Sequence, residues 1–383
     1  MRVLAAACAL VAVLVAACGD DGVPKPARML PVTEAEANDV AARFVAAAAP
    51  CDPARLGLLI DDRHIVRRGV NKARLRADDK RATLKELERK GFDVAAQLCP
   101  GLGEDAQFEL LRIRQRGAER RPLLRMVSGD AFNYFELELG KATRDGEALV
   151  IDMVDLYSGS LMSEVVAEGL DIGMLAAKRG ERFDMSDFNT ARAGADWQRV
   201  RELLAAMPPT LREARIFRLA ALQVAMQLDD PAYVELLTAF ERDFPDDSAM
   251  LMLVIDGHAA RGDMPALLAA IDRLDRAVGG DPYLDLHRAG AYLLEPTAGN
   301  LSEAELLARA GTTALPGIAD GWWTLAAIQA MRHEHAAVTA TLDELRRRFD
   351  VDVRLEDLEA DEVYEDFLDS PEFEAWWPTT TSP

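Results

Sequence analysis

The spacing of apolar residues predicts helices in the first part of the chain. Residues 33–49 and 80–98 carry apolar side chains three and four positions apart, which is the spacing of one helix face. Thr33 and Glu36 form a capping-box pattern, so the first of these helices is expected to begin there. A shorter helix is predicted over residues 53–60.

Strand-like spacing follows these helices. Residues 62–79 are polar and locally basic, and both a loop and a frayed helix remain open for them. Further along, alternation with a period of two, interrupted at Gly117, Gly129 and Gly146, predicts strands. Four strands are predicted, over residues 107–114, 121–127, 132–139 and 148–157. We therefore expect an α+β domain over residues 31–180, with helices first and then a four-stranded antiparallel sheet.

The pattern becomes purely helical in the second half of the chain. Alanine and leucine dominate residues 185–350, and the helix breaks recur at intervals of about 34 to 37 residues. Repeats of this length are helical hairpins that stack because none of them buries its apolar face alone. The expected fold class is mainly α, with an α+β N-terminal domain followed by an α-solenoid.

Large and small residues in this helical region recur in a family-specific order. The matching positions are Phe217, Ala220, Ala221, Val224, Tyr233, Leu237, Phe240, Pro245, Trp322, Leu325, Ala326, Val338 and Leu342. In this order the region resembles the tetratricopeptide-repeat family, with a generic α-solenoid as the alternative. The resemblance implies antiparallel helical hairpins with a groove that holds a peptide or a protein.

The same resemblance implies which side chains face the groove. Carried over position by position, they are Arg215, Arg218, Leu222, His287, Glu295, Trp323 and Met331. Trp323 is the most informative, because its neighbour Trp322 already occupies the packing position and a groove-exposed tryptophan is a common anchor. The alternative is that both tryptophans belong to the core.

The N-terminal domain has a resemblance of its own. The order of its elements and its closing strand with Asp152 and Asp155 resemble the cystatin-like cone of the nuclear-transport-factor-like superfamily. The enzymes of that superfamily carry an Asp, His or Tyr in a cone pocket. The resemblance implies Tyr134, Asp152 and Asp155 as pocket candidates, with either carboxylate as a general base if it is desolvated. Strand-end carboxylates in solvent are the alternative, and we predict no catalytic residue and no cofactor.

Two histidines near residue 334 raise the question of a metal site. His333 and His335 lie two positions apart, and residues at that spacing do not share a face of a helix. A loop or an exposed helix start is therefore the preferred interpretation, and no metal site is predicted.

The end of the chain alternates acidic and apolar residues. Residues 351–378 are predicted to form capping helices, because a solenoid needs a terminal unit with a polar outer face. An acidic interaction tail is the alternative. The side chains expected to bury against the last repeat are Leu355, Leu358, Val363, Phe367, Phe373, Trp376 and Trp377. Residues 379–383 are expected to be disordered.

An apolar run near the start of the chain stops at a cysteine. Arg2 precedes about fifteen apolar residues, fewer than the roughly twenty that span a bilayer, and residues 15–18 follow the order of the bacterial lipobox. The chain thus resembles bacterial lipoproteins, which implies a signal peptide over residues 1–17, acylation of Cys18 and a tether over residues 18–30. An ordinary cleaved signal or an uncleaved anchor is the alternative, and inner and outer membrane both remain open.

The net charge and the cysteines give further indications about the binding partner and about a disulfide. The 383 residues carry a formal net charge of −21, which disfavours nucleic acid because its phosphates are repelled. With Cys8 removed and Cys18 acylated, Cys51 and Cys99 remain, and an even pair in an exported domain indicates a disulfide. Two buried free thiols are the alternative.

These expectations combine into one functional hypothesis. The sequence predicts a non-enzymatic, lipid-anchored cell-envelope protein whose repeat groove holds an envelope protein or peptide. The alternative is a small-ligand binder or enzyme that uses a pocket in the N-terminal cone-like domain. A deep apolar cavity around a buried Asp152 or Asp155 favours the alternative.

Overall fold

The chain divides into two compact units, Arg2–Leu253 and Val254–Pro383. The computed structural model describes residues 2–3, 28–98, 106–129, 131–228 and 230–380. The described part is mainly helical, with an antiparallel sheet near its N-terminal end. The helices from residue 185 to residue 253 belong to the same unit as the sheet. The domain boundary predicted near residues 180–185 stays a prediction.

The first helices form largely where the pattern predicts them. Thr33 caps α1 through its side chain, which accepts from the Glu36 amide at 3.3 Å, while the Glu36 carboxylate accepts from the Thr33 amide at 2.7 Å. The polar stretch left open by the sequence contains a helix over Asp62–Lys72, capped by Asp61, and the start of a second helix at Ala77. Gly91, with φ of 74°, interrupts the helix predicted over residues 80–98. The five helices are α1 (Glu34–Ala48), α2 (Pro53–Gly57), α3 (Asp62–Lys72), α4 (Ala77–Lys90) and α5 (Val94–Leu98).

The antiparallel sheet has five strands rather than the predicted four. The fifth strand has only two residues, which is too short for an alternating pattern to reveal. In spatial order the strands are β2 (Gln107–Arg116), β3 (Glu119–Ser128), β4 (Ala131–Gly140), β5 (Leu149–Asp155) and β6 (Ser160–Leu161). A further two-residue strand, β1 (Arg2–Val3), pairs in parallel with β4.

The two faces of the sheet have different chemistry. Leu124 lies opposite Phe135 on one face, and both belong to an apolar core that includes Phe44 of α1. Glu136 lies opposite Leu123 on the other face, where the strands also carry arginine and glutamate side chains. Because side chains alternate along a strand, the register of β3 and β4 decides which residues share a face.

Helices α6 to α11 complete the unit Arg2–Leu253. Helix α3 crosses α6 closely at Gly69, where a Cβ atom would lie 2.7 Å from the Val166 side chain. Helices α8 and α10 pack on each other, and α10 packs on α11. The helices are α6 (Met162–Lys178), α7 (Met185–Ala193), α8 (Trp197–Ala206), α9 (Pro209–Arg212), α10 (Arg215–Gln227) and α11 (Tyr233–Asp243), and α12 (Met250–Ala260) spans the division between the units.

The second unit contains a series of consecutive helices. Each of them packs on the next, and α14 also contacts α16. Gly311 and Gly321 allow this, because a Cβ atom on either would meet Leu286 of α14, at 2.2 Å and 2.9 Å from its Cδ2. The series is α13 (Met264–Val278), α14 (Tyr283–Tyr292), α15 (Ala298–Ala314), α16 (Asp320–Met331) and α17 (His335–Phe349).

Short helices close the chain after α17. Leu358, Phe367 and Trp376 are buried in one apolar cluster with α16 and α17. The Trp376 indole donates to Asp343 at 2.8 Å, whereas Leu355 is 36% exposed. The segments are α18 (Leu355–Glu359), a 3-10 turn (Glu362–Tyr364), α19 (Glu365–Leu368) and α20 (Pro371–Thr380). Of the tail expected to be disordered, residues 379–380 belong to α20 and residues 381–383 lie outside the described residues.

Several predictions about the chain ends and cysteines concern residues beyond this description. Cys18 lies outside the described residues, as do residues 4–27 around it, so the signal peptide and the lipid anchor stay predictions. Cys51 is disulfide-bonded, but Cys99 lies outside the described residues, so their pairing stays a prediction. Among the described helices, none has the length and apolar character needed to cross a membrane.

Candidate functional site

A groove opens between helices α8, α10 and α11 of the unit Arg2–Leu253. Its volume is about 710 Å³. Its apolar lining includes the buried Phe217 and the exposed Leu236, together with Phe244, which follows α11. The other lining residues are Leu204, Ala205, Arg212, Glu213, Arg218, Ala221, Arg242 and Asp243. We call this site the α10–α11 groove.

Arginines give the α10–α11 groove a local positive excess. Arg212, Arg218 and Arg242 line it, against the carboxylates of Glu213 and Asp243. Hydrogen bonds from Arg242 and then from Arg218 lower the pKa of Asp243 to about 2. The Arg218 guanidinium also lies 5.8 Å from the centre of the Phe244 ring. The groove thus combines an apolar floor with cationic groups in a chain whose net charge is strongly negative.

A second cavity of about 580 Å³ adjoins this groove and shares Glu213 and Phe244 with it. Arg215 lines the second cavity, one helical turn before Arg218 on α10. Its guanidinium donates to the carboxylate of Asp247 at 2.7 Å. Arg215 and Arg218 are therefore the two predicted groove residues that the structure places in neighbouring cavities.

Two of the predicted groove residues lie inside the helical packing instead. Leu222 of α10 and His287 of α14 are both buried. Burial lowers the pKa of His287 to about 3, and its ring packs edge-on against Tyr283 at 4.8 Å. Their burial leaves little surface for a partner, because repeat spacing identifies a helix position but not what the next helix covers. Contact of these two with a partner stays a prediction.

The three remaining predicted groove residues lie in the unit Val254–Pro383. Trp323 is half-buried and packs, like Trp322, against the apolar cluster of α16 and α17. Met331 is half-buried at the end of α16, and Glu295 is exposed after α14. Arg348 lies 4.8 Å from the Trp322 ring. Both tryptophans therefore contribute to packing, and because both stay half-buried, neither the groove anchor nor the core alternative is decided for Trp323.

Charged side chains cover part of one face of the sheet. Glu136 accepts contacts from three arginines: from Arg114 at 2.7 Å, Arg116 at 3.2 Å and Arg121 at 3.3 Å. Arg121 also lies 2.8 Å from Glu138. The glutamates are buried, so each depends on these partners to offset the loss of hydration.

Helices α3 and α6 complete this charged face at β5. Arg68 of α3 contacts both Glu138 and Asp152, the latter at 3.2 Å. Asp152 also accepts from the Ser163 amide at the start of α6, at 3.1 Å. Burial raises the pKa of Asp152 despite these contacts. Asp152 therefore joins two helices to the sheet, and it does not line the cavities described here.

The other two pocket candidates are also built into the core. Asp155 is buried and accepts from the Asn133 side chain at 2.7 Å and from the Tyr157 amide at 2.9 Å. Burial raises the pKa of Asp155 to about 7. Tyr134 is fully buried and packs edge-on against Phe132 at 5.9 Å. These contacts enclose both side chains, so neither lies in an open pocket as a general base does.

The charged face has a signal of its own in the sequence, in the spacing of charged residues within two strands. Arg112, Arg114 and Arg116 recur with a period of two in β2, and Glu136 and Glu138 do so in β4. This period places each set on one face of its strand. The register between the strands, which the sequence does not give, brings the sets together.

A different carboxylate lies beside an N-terminal cavity. The cavity has a volume of about 560 Å³ and is lined by Asp62 together with Phe92 and Leu149, among others. Burial raises the pKa of Asp62 to about 7, although its carboxylate accepts from the Val94 amide at 3.2 Å. Nothing in the sequence pattern distinguished Asp62 from its neighbour Asp61, which caps α3.

Comparison with other proteins adds no further assignment to this geometry. Against models of protein families, curated proteins and solved structures, the chain finds no match.

Proposed function

We propose that the protein is a lipid-anchored cell-envelope protein that binds an acidic segment of a protein partner in the α10–α11 groove. The observation that carries the proposal is the combination, in one open groove, of an apolar floor with three arginines. We also infer that the helical hairpins are tetratricopeptide-like, because consecutive helices pack in series and α14 also contacts α16. The partner itself is an envelope protein or peptide.

The shape of the groove supports binding of a peptide segment. Leu236 and Phe217 both line the groove, one exposed and the other buried, so an apolar side chain of the partner can contact both. Burial of such a side chain contributes about 1.5–3 kcal/mol. An apolar anchor in a desolvated pocket is the usual centre of a protein interface.

Charge supports an acidic partner over a basic one. Arg242 is exposed, and Arg212 is exposed as well, so both are accessible to a carboxylate. Arg218 is held by Asp243, which fixes the position of its guanidinium at the groove. Arginine forks bind carboxylates with two parallel hydrogen bonds, which favours aspartate or glutamate beside the apolar anchor.

Photocrosslinking from the groove tests this proposal in intact cells. A photoreactive residue at Leu236 is expected to capture a partner in the envelope, and the same residue at Leu306 serves as the control. Leu306 is 64% exposed on α15, outside the groove. Adding Arg218→Glu to the Leu236 probe should abolish the crosslink, because it replaces an attractive charge with a repulsive one.

The affinities of synthetic peptides test the same proposal quantitatively. A peptide with leucine or phenylalanine between aspartates should bind at least roughly tenfold more tightly than its lysine-flanked counterpart. Leu236→Asp should weaken binding while Leu306→Asp leaves it unchanged, measured by fluorescence anisotropy. Equal affinity for both peptides, or a Leu236 crosslink that survives Arg218→Glu, contradicts the proposal.

The anchor is tested separately at Cys18. An alkyne-labelled fatty acid should be incorporated into the wild-type chain and not into Cys18→Ser, because the acylated thiol is missing. The wild-type chain should sediment with membranes, since several acyl chains are needed for stable attachment. If the wild-type protein is soluble and carries no label, the lipid anchor is wrong, while the proposal of peptide binding in the groove is not affected.

One observation favours a second candidate function, a small-ligand site in the N-terminal unit. Asp62 has its pKa raised to about 7 beside a cavity of about 560 Å³. A carboxyl group that titrates near neutrality is a candidate proton donor or acceptor. Ligand-observed NMR with a small-molecule library tests it: hits that bind wild type and lose binding in Asp62→Asn support this role, and the absence of such hits rejects it.

A further inference from the structure

The turn between α16 and α17 presents two histidines in one place. His333 lies in the turn with φ of 56°, and His335 begins α17. The left-handed conformation of His333 breaks the helical path between them, so a spacing of two no longer separates the side chains. The expected helix start is confirmed, but the premise that the two rings diverge does not hold.

A carboxylate from the C-terminal cap meets both rings. Asp366 of α19 lies 2.7 Å from His333 Nδ1 and 2.9 Å from His335 Nε2, and both distances end at the same oxygen, Oδ2. The three ligand-type atoms lie within 4.8 Å of one another. Residues more than thirty positions apart thus converge on one point at the surface of the unit Val254–Pro383.

We propose that His333, His335 and Asp366 bind a divalent transition-metal ion, with Zn²⁺ as the best fit. Two imidazoles and one carboxylate are the donor set of many zinc sites with three protein ligands and an open position for water. Imidazole nitrogen disfavours Ca²⁺ and Mg²⁺, which prefer oxygen ligands only. The site goes beyond peptide binding and is independent of it.

The distances between the donor atoms suit such an ion. Ligand atoms on a tetrahedral zinc are roughly 3.4 Å apart, given zinc–ligand bonds of about 2.1 Å. The two nitrogen–oxygen distances are shorter, whereas the widest separation in the set reaches 4.8 Å, so the ion requires the carboxylate oxygen to retreat by roughly half an ångström and the two rings to turn towards each other. Asp366 and His333 are both exposed at the surface, and rotation of their side chains supplies these movements.

Neighbouring side chains orient the ligands as metal sites require. The carboxylate of Glu372 lies 3.8 Å from Nδ1 of His335, the nitrogen that points away from the proposed ion. A negative charge on that side of the ring favours the tautomer with the proton on Nδ1, which leaves Nε2 to bind the ion. Phe367 packs on the His335 ring at 6.1 Å and limits its rotation.

Binding would join the C-terminal cap to the last helical hairpin. His333 and His335 belong to the α16–α17 hairpin, whereas Asp366 and Glu372 belong to α19 and α20. An ion that bridges them stabilises the docked cap, because it binds the folded arrangement better than the separated one.

Titration of the full chain, purified without a polyhistidine tag, tests the site. Isothermal titration calorimetry with Zn²⁺ at pH 7.5 should give one saturable site per chain, and Co²⁺ should give the visible absorption of a four-coordinate ion. Zn²⁺ should also raise the melting temperature. Acid should weaken binding, since a proton and the metal ion compete for the same imidazole nitrogen.

Matched variants separate this site from general attraction to an acidic chain. Asp366→Asn and His333→Asn should each weaken Zn²⁺ binding at least roughly tenfold; asparagine tolerates the left-handed turn at position 333. Asp369→Asn removes a nearby exposed carboxylate, and His258→Gln removes a histidine of α12. Both controls should bind as wild type does.

The variants distinguish a specific metal site from non-specific binding. His333 is largely exposed, so its variant should keep the wild-type circular dichroism spectrum and remain informative even if Asp366→Asn unfolds. Weak, non-saturating binding that is equal in wild type and His333→Asn overturns the proposal and leaves the two histidines as hydrogen-bond partners of Asp366 only.

Discussion

Asp155 shows how one buried side chain links stability to pH. It lies at the end of β5 with one carboxylate oxygen accepting from Asn133 and Tyr157, while no described group hydrogen-bonds to the other oxygen. Burial opposes ionisation more strongly than these hydrogen bonds favour it, which raises the pKa from 3.8 to about 7. The folded protein therefore holds a proton that the unfolded chain releases.

This difference predicts a pH-dependent effect of Asp155→Asn. Between the unfolded pKa near 3.8 and the folded pKa near 7, the native state binds more protons, so this group's stabilisation falls as pH rises through that window. The slope approaches about 1.4 kcal/mol per pH unit for one proton. Urea unfolding from pH 5 to pH 8 should therefore show a shallower decline in the variant than in wild type.

Asp155→Ala is the comparison that isolates the hydrogen bonds. It leaves the buried Asn133 donor without its acceptor, and an unpaired buried donor costs about 1–3 kcal/mol. The alanine variant should thus unfold more easily than the asparagine variant at every pH. Parallel curves for wild type and Asp155→Asn would show that the carboxyl group titrates normally.

At the scale of the helix, small residues decide how closely neighbours approach. Leu286 of α14 fills the space above Gly311 of α15 and Gly321 of α16. Helix α14 has a glycine of its own, Gly290, yet nothing lies within 4 Å of a Cβ atom built there. The glycines that permit the close contact with α14 therefore lie on α15 and α16, the two helices that pack against it.

Alanine substitutions at these glycines should have opposite signs. Gly311→Ala places a Cβ atom 2.2 Å from the Leu286 side chain, and overpacking of this kind costs about 1–3 kcal/mol. Gly290→Ala meets open space and should stabilise the helix by about 0.5–1 kcal/mol. Chemical denaturation measures both changes in the free energy of unfolding.

A double mutant identifies the contact responsible. Leu286→Ala removes the side chain that Gly311→Ala would strike, so the two changes together should cost less than their separate costs added. Additive effects would mean that the loss at Gly311 comes from elsewhere in α15.

At the scale of the whole molecule, the net charge affects stability, whereas the local charge of the groove affects binding of the proposed partner. The chain carries a net charge of −21, so its negative groups repel one another in the folded state. The α10–α11 groove is a local exception, with three arginines and two carboxylates. Salt screens both the repulsion within the folded chain and the attraction of an acidic partner to the groove. The first change favours the folded state, and the second weakens binding.

Raising the salt concentration should therefore stabilise the protein and weaken its proposed partner. Between about 20 mM and about 300 mM NaCl, screening of self-repulsion should raise the melting temperature, measured by differential scanning fluorimetry. Over the same range the affinity for an aspartate-flanked peptide should fall. An affinity that is indifferent to salt would show that the arginines of the groove do not contact the peptide.

The sequence by itself determined the elements whose causes are local. Thr33 and Glu36 cap α1 across three residues, and alternation over about ten residues marks each long strand, so both are visible in the chain. The order of helices, sheet and further helices follows from these patterns. The carboxylates of β5 were also visible, although their burial was not.

Only the tertiary structure decided which distant residues meet. The two-residue β6, the register that joins Glu136 to three arginines, and the burial of Leu222 and His287 depend on neighbours far along the chain. The same is true of Asp366, which reaches His333 only because a left-handed residue turns the chain and the cap folds back. Local periodicity fixes the direction of a side chain on its own element, whereas its partners depend on how separate elements pack together.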